Sequence, residues 1–448
     1  MYDSEIIGDV YVDSSVISGG SLLIKDGVIA AVLSTRSEGL AREVFDFSGN
    51  LVLPGAIDGH AHAYSNSPEA EGISRLTRAA AKGGVTTVLE MPYDRGGPIT
   101  TAEKFRAKAV VAKDEAHVNV ALFATIAKHE GWKHAEELID AGAIAIKVST
   151  YENDPERFPE IPEHDLAQLL RISGERQVVV TAHAENANLI DPLVREAREA
   201  GELDAKAHGI ARPLESETTA VSRLLELARV HQGKLHIAHL TVPFGYELIR
   251  FYQEHGTDAT AEACLHYLLL SEENIAQLGS YAKVHPPLRS AAIQTKLWQE
   301  VVSGGVEFVT SDHVPWTREQ KQQGDYFDQP PGLPSIEVLV PLLFSEGVVK
   351  RNLSISRFVE LTSENVARRY GLSPAKGRIA VGADADLMII DPDTTWNFDA
   401  SQQESIADWS PYDDRLIRGQ ISATFVNGHQ AYSRTEGLSA LRHGQLLT

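Results

Sequence analysis

The chain has 448 residues, 43% apolar and 23% charged, with 41 basic against 62 acidic side chains and a formal charge of −21. That length accommodates a large enzyme domain plus a smaller unit, and the composition is that of a soluble globular protein. The acidic balance argues against a nucleic-acid or anionic-membrane surface, because either would need a basic patch.

The first residues, MYDSEIIGDV, carry acid where a secretory signal has a basic start and an apolar core. No apolar run approaches the roughly 20 residues of a membrane span. Cys264 is the only cysteine, so no intrachain disulfide can form, and a reducing, cytoplasmic setting is expected. Lying in an apolar stretch, Cys264 reads as a buried structural thiol rather than a nucleophile.

In chain order, the first fifty residues read as short strands. LLIKDGVIAAVL is a hairpin signal, with Asp26-Gly27 as the tight turn. From about Pro54 to Tyr370, strand and helix patterns alternate. Candidate strands are AIDGHAHA, TTVLEMP, VALFATI, AIAIKVS, VVVTAHA, LHIAHLT, TDATAEAC and EFVTSDH. ETTAVSRLLELARVH and TAEKFRAKAVVAKDEA carry the clearest helical spacing. Eight strands alternating with helices predict an α/β fold, a closed (β/α)8 TIM-like barrel over 54–370. GRIAVGADADLMIID and ISATFVNGHQAY look β-rich again. One small β-sandwich built from both chain ends, 1–53 and 371–448, is therefore expected. QPPGLP, from Gln329 to Pro334, reads as an ordered loop near the barrel mouth.

Six residues sit at the downstream ends of these strands: His60, His62, Lys147, His183, His239 and Asp312. Barrels place functional side chains there, and imidazoles with a carboxylate are metal-ligand chemistry. His60 and His62 are two apart, so both rings point the same way from a strand. Two ordinary surface histidines are the alternative for such a pair, and their place after LVLPGAIDG at a strand end weighs against it. Lone histidines such as His183 and His239 are more often hydrogen-bonded structural residues. His236 lies deeper on the strand of His239 and reads as structural. Asp312 can bind a metal and accept a proton from its water. Lys147 ends a buried strand, where burial lowers an amine's pKa. Burial alone leaves three readings of it open: a lysine reaching solvent, one paired with a carboxylate, or one carboxylated by CO2 to a carbamate that offers two oxygens to metals.

The motifs LVLPGAIDGHAH, AAAKGGVTTVLEMP, AIKVS, AHAEN, HIAHLT, KVHPPLRS, TSDHVPW, KGRIAVGADADLMIIDP and SPYDDRLIRGQISATFVNG span nearly the whole chain. As a set they resemble the cyclic amidohydrolases: hydantoinases, dihydropyrimidinases, allantoinases and dihydroorotases. The resemblance implies a site for two divalent metal ions of zinc type. His60 and His62 would bind one ion, His183 and His239 the other, carboxylated Lys147 would bridge them, and Asp312 would join the first. It also implies a mechanism, in which a hydroxide shared by the metals attacks a ring carbonyl while Asp312 serves as general base and then general acid. A homo-oligomer, tetramer or dimer, is implied as well.

Several positions depart from parts of that family. Dihydroorotases carry an arginine two residues after the second histidine, and here Tyr64 stands there, which counts against that branch. Hydantoinases and dihydropyrimidinases usually place an oxyanion-donating tyrosine five residues after the lysine. Tyr151 is four after, and is a candidate for the substrate site or a loop residue. ERFPEIPEHDL, Glu156 to Leu166, looks closer to allantoinases, while VLEMP and SPYDDRLIRG look closer to bacterial hydantoinases. His285 replaces a common asparagine whose backbone lies near the ring. Gly332 and Leu333 match a glycine-containing loop that contacts the ring through its backbone. His266, in the HYL motif, is a candidate for the pocket wall or a support for neighbouring loops.

The expected activity is hydrolysis of a cyclic amide bond in a ureide ring, of allantoin or hydantoin type, to a ureido or N-carbamoyl acid. Dihydropyrimidines and cyclic imides are alternative substrates. A non-catalytic scaffold on the same fold is the alternative of another class, and the presence of all six ligand-type residues speaks against it.

Overall fold

The computed structural model describes residues 1–65 and 71–448. The chain opens with β1 (Tyr2–Val12), β2 (Ser15–Lys25), β3 (Val28–Leu33) and β4 (Ala41–Pro54). Asp26 and Gly27 both take positive φ, 50° and 80°, and turn β2 back on β3 as the sequence predicts. The barrel strands are β5 (Ala56–Ala61), β6 (Val85–Glu90), β7 (Asn119–Thr125), β8 (Ala145–Ser149), β9 (Val179–His183), β10 (Lys234–Ile237), β11 (Ala259–Cys264) and β12 (Phe308–Thr310). The chain returns to the first sheet with β13 (Leu387–Asn397), β14 (Leu416–Val426), β15 (His429–Ser433) and β16 (Gly437–Leu438).

Segments near both chain ends thus build one mixed sheet, in the order β16-β15-β14-β13-β4-β1-β2-β3, but the expected span 371–448 overreaches at its end, where Leu446 and Leu447 pair with β7 of the barrel. The long strand β4 is its pivot. Ala41–Asp46 pairs with β1, and Leu51–Pro54 pairs with β13. The sheet folds over its own apolar face, bringing Phe45 of β4 edge-on to Phe425 of β14 at 5.1 Å. The GRIAVG stretch is not a strand. Gly377 and Gly382 both hold positive φ and interrupt the extended run, and only Val28 and Asp384 form a bridge there.

Parallel ladders join each strand to the next from β5 to β12. Residues alternate along each strand between the helix-covered outside and the interior. Val88, Leu122, Ile146 and Val180 face outward into the large helix-packed core. Leu89, Phe123, Ala145, Val179 and Phe308 fill the inside, with Tyr370 among them. The same parity carries Lys147, two after Ala145, and His183, four after Val179, into the interior.

Between β12 and β5 the barrel closes through a single backbone bridge and side-chain hydrogen bonds rather than a full ladder. His62 N donates to the His313 carbonyl at 2.9 Å, beside a single parallel bridge from Ala61 to His313. Deeper in, the buried Asp58 carboxylate accepts from Ser311 N at 3.1 Å, from His60 N at 3.3 Å and from the Ser311 hydroxyl. Asp58→Ala strands these donors in an apolar interior. We expect a loss of about 3 kcal/mol, read as a fall in Tm by calorimetry; an unchanged Tm would remove Asp58 from the closure.

Candidate metal centre and substrate cavity

All six strand-end residues line one cavity of about 340 Å³ at the C-terminal mouth of the barrel. Nε2 of His60 and of His62 lie 3.4 and 3.5 Å from Asp312 Oδ1. Opposite them, His183 Nδ1 is 3.0 Å from His239 Nε2, and the His60 and His239 rings are 5.5 Å apart. Two of these residues sit on strained backbone, His239 at φ 39° and Asp312 at φ 42°. Left-handed turns immediately after β10 and β12 aim both side chains inward.

Buried carboxylates hold the rings. Glu262, inside β11, accepts from His60 Nδ1 at 2.6 Å and from the His239 amide at 3.1 Å, and its other oxygen meets His236 Nε2 at 3.3 Å. Taking the Nδ1 proton of His60 leaves that ring's Nε2 as a lone pair facing the cavity. Glu185 does the same for His183 from the Nε2 side at 2.8 Å, and its negative charge is met by Arg212 at 2.6 Å. Tyr151 lies over Arg212, 4.4 Å from ring centre to guanidinium.

Burial sets the charge states. Desolvation pulls His62 down to about 4 and also lowers His183 and His239, so these imidazoles stay neutral. It would raise Glu262 and Glu185, but His60 and His236 together for the first, and Arg212 and His183 together for the second, outweigh it, and both settle at about 2. Desolvation lowers Lys147 to about 8, and its Nζ has no hydrogen-bond partner. Neutral imidazoles, an anionic carboxylate and a partnerless amine at one mouth form a donor set that fits divalent cations.

The proposed substrate residues divide. His285 and Gly332 line the cavity. His285 is held by Asn153 Oδ1 at 2.8 Å and His208 Nε2 at 3.0 Å. Gly332 has φ 110°, and a Cβ there would come within 2.6 Å of Val314, so the loop needs glycine. Tyr151 and Leu333 are not on the wall. Tyr151 covers Arg212, and Leu333 is buried in the core with its carbonyl accepting from Val314 N at 3.0 Å. His236 sits behind the site against Phe308, and Cys264 is buried.

Other wall residues were not singled out from the sequence. Tyr93 and Phe158 pack ring to ring at 3.8 Å. Arg157 Nη1 donates to the carbonyls of Ser65 and Tyr93 at 3.4 and 3.2 Å, tying together the loops that follow β5, β6 and β8. Lys283 and Lys321 have no carboxylate partner among the described residues. Their amines donate to loop carbonyls instead, Lys283 to Phe327 at 2.8 Å and Lys321 to Pro330 and Gly332 at 2.8 and 3.0 Å, clamping the loop that carries Gly332. An acid inside an apolar strand, as in TAEAC, was the available signal for Glu262. The loop residues had none.

Residues 51–430 match the amidohydrolase family model. The chain belongs to the amidohydrolase family. It is 36% identical to an allantoinase of Rubrobacter xylanophilus, over 91% of this chain and 90% of that one. It is 31% identical to an L-hydantoinase of Paenarthrobacter aurescens, over 100% and 98%. Among solved structures it superposes on the L-hydantoinase (dihydropyrimidinase) from Arthrobacter aurescens with a TM-score of 0.95 at 29% identity, covering all of both chains. D-hydantoinase from Thermus sp. gives 0.92 at 26% identity, over 99% and 98%.

The Glu185–Arg212 pair yields a stability test, read on metal-free protein because Glu185 also orients His183. Glu185→Gln leaves the buried Arg212 without its counterion. We expect a destabilisation of about 3–5 kcal/mol in urea unfolding of the purified protein; wild-type stability would mean that Arg212 finds its compensation elsewhere.

Proposed function

We propose that this chain hydrolyses an amide bond in a five-membered ureide ring of the allantoin or hydantoin type, releasing a ureido or N-carbamoyl acid. One observation carries the reading. Two histidine sets, His60 with His62 and His183 with His239, share a cavity with Asp312 and the partnerless amine of Lys147. The allantoinase and hydantoinase names of the relatives supply the ring class. No helix among the described residues is long and apolar enough to cross a membrane. A cytoplasmic enzyme acting as a homo-oligomer, tetramer or dimer, completes the proposal.

His60, His62 and Asp312 on one side and His183 and His239 on the other would hold two divalent cations, zinc by preference, which would acidify a water and polarise a ring carbonyl. Lys147, as a carbamate, would offer its two oxygens to the two sets. Its neutral Nζ adds to CO2 and releases one proton, and burial lowers the amine's pKa enough for a reactive neutral fraction at ordinary pH.

The remaining chemistry belongs to the chain. Glu262 and Glu185 hold His60 and His183 in one tautomer, so their lone pairs face the cavity. Asp312 is the catalytic residue. It takes a proton from the attacking water as the oxygen adds to the ring carbonyl, then returns it to the ring nitrogen as the C–N bond breaks. Gly332 and His285 hold the ring through the backbone, and Tyr93, Phe158 and Arg157 line the rest of the wall.

The test is ring opening by zinc-loaded protein in bicarbonate, followed by mass spectrometry, over allantoin, hydantoin, substituted hydantoins, dihydrouracil, dihydroorotate and succinimide. Allantoin or a hydantoin should open, and Asp312→Asn should lower kcat by about 100- to 10,000-fold. Lys147→Ala should purify with less bound metal than the wild type. Metal-loaded protein that opens no ring would sink the ureide reading, and protein that retains no metal would point to a scaffold.

A further inference from the structure

One buried histidine beside the cavity is left idle by the chemistry above. His266 follows β11 directly and is fully buried, and neither of its ring nitrogens has a hydrogen-bond partner. An imidazole buried with both nitrogens unmet is costly, so a native protein keeps one only where a partner comes within reach. Its surroundings supply two. Ligand-type atoms of Cys264, His266 and Asp312 all lie within 4.8 Å of one another. Cys264 Sγ is in turn 3.4 Å from the Thr310 hydroxyl. Tyr267 packs on the His266 ring at 4.1 Å, which limits how far the ring can turn.

An anionic carboxylate only accepts, a neutral imidazole has one N–H and one lone pair, and a thiol can donate its S–H while its sulfur accepts. One His266 nitrogen lies within 4.8 Å of both the Cys264 sulfur and an Asp312 oxygen. Of the two neighbours, the anionic carboxylate is the stronger acceptor for a His266 N–H, while the Cys264 sulfur already has the Thr310 hydroxyl beside it.

We propose that His266 is a positioning residue for Asp312, donating an N–H to its carboxylate, with the Cys264 thiol as the neighbour against which the ring is set. The proposal rests on the ring-opening reading of Asp312. Its consequence is geometric: a carboxylate that must accept a proton from water and deliver it to a ring nitrogen cannot rotate freely between the two events.

His266→Leu, His266→Asn and His266→Gln separate this role from packing. Loss of a residue that orients a ligand typically costs about 10- to 100-fold in activity or metal affinity. His266→Leu should therefore lose about that much kcat with KM little changed, and should give up zinc to a chelator faster than the wild type. Whichever amide reaches the carboxylate should recover most of both at equal Tm. If the leucine variant does not fold, the two amides are compared with each other, and Cys264→Val should lower kcat with KM and Tm unchanged. Wild-type kcat in His266→Leu, or equal losses in all three variants tracking a lower Tm, would overturn the proposal. Absence of turnover in the wild type would instead refute the ring-opening reading, while faster zinc loss from His266→Leu would still report the contact with Asp312.

Discussion

Glu262 is the side chain on which the arrangement of the site depends. It is completely buried, yet it remains anionic because His60, His236 and the His239 amide all surround it. Those contacts join β5, β10 and β11, so a single carboxylate sets the rotation of the His60 ring on one side of the centre and the backbone of His239 on the other. An unpaired carboxylate in that position would be costly, and an apolar residue would leave His60 free to choose the wrong tautomer. The other rules of the site follow the same logic. Imidazoles are kept neutral by burial, carboxylates are kept charged by partners, and one amine is left without any partner.

The barrel serves this arrangement by alternation. Interior positions at the lower level carry Phe123, Phe308 and Leu89, which fill the space, while the next inward positions carry Lys147, His183 and Asp312. Apolar filling below the site makes its floor dry, and dryness is what lowers Lys147 and the imidazoles. The closing seam contributes as well. Asp58 holds Ser311 and the His60 amide, so the residues flanking Asp312 and His60 are fixed to each other before any ligand arrives.

The upper wall obeys different physics. Arg157, Lys283 and Lys321 donate mainly to backbone carbonyls of loops. Carbonyl oxygens accept these N–H groups without adding a counter-charge, so the loops are clamped while burial lowers both lysines from their ordinary values. Gly332 is presented by such a clamped loop, in a conformation that only glycine adopts at that distance from Val314.

The sequence by itself determined the strand–helix alternation, the Asp26-Gly27 hairpin and the six strand-end residues. Period-two patterning, turn chemistry and ligand type are local properties and can be read from a few neighbouring letters. It could not show that GRIAVG breaks at its glycines, that Tyr151 leans on Arg212 instead of the cavity, or that Leu333 faces the core. Only the tertiary structure decided the partners. His60 meets Glu262 across 202 residues of chain, and Ser311 meets Asp58 across 253. The second pairing exists because a closed barrel makes its first and last strands neighbours, and the first because side chains of non-adjacent strands meet in its interior; a strand carries no local mark of which distant residue it will face.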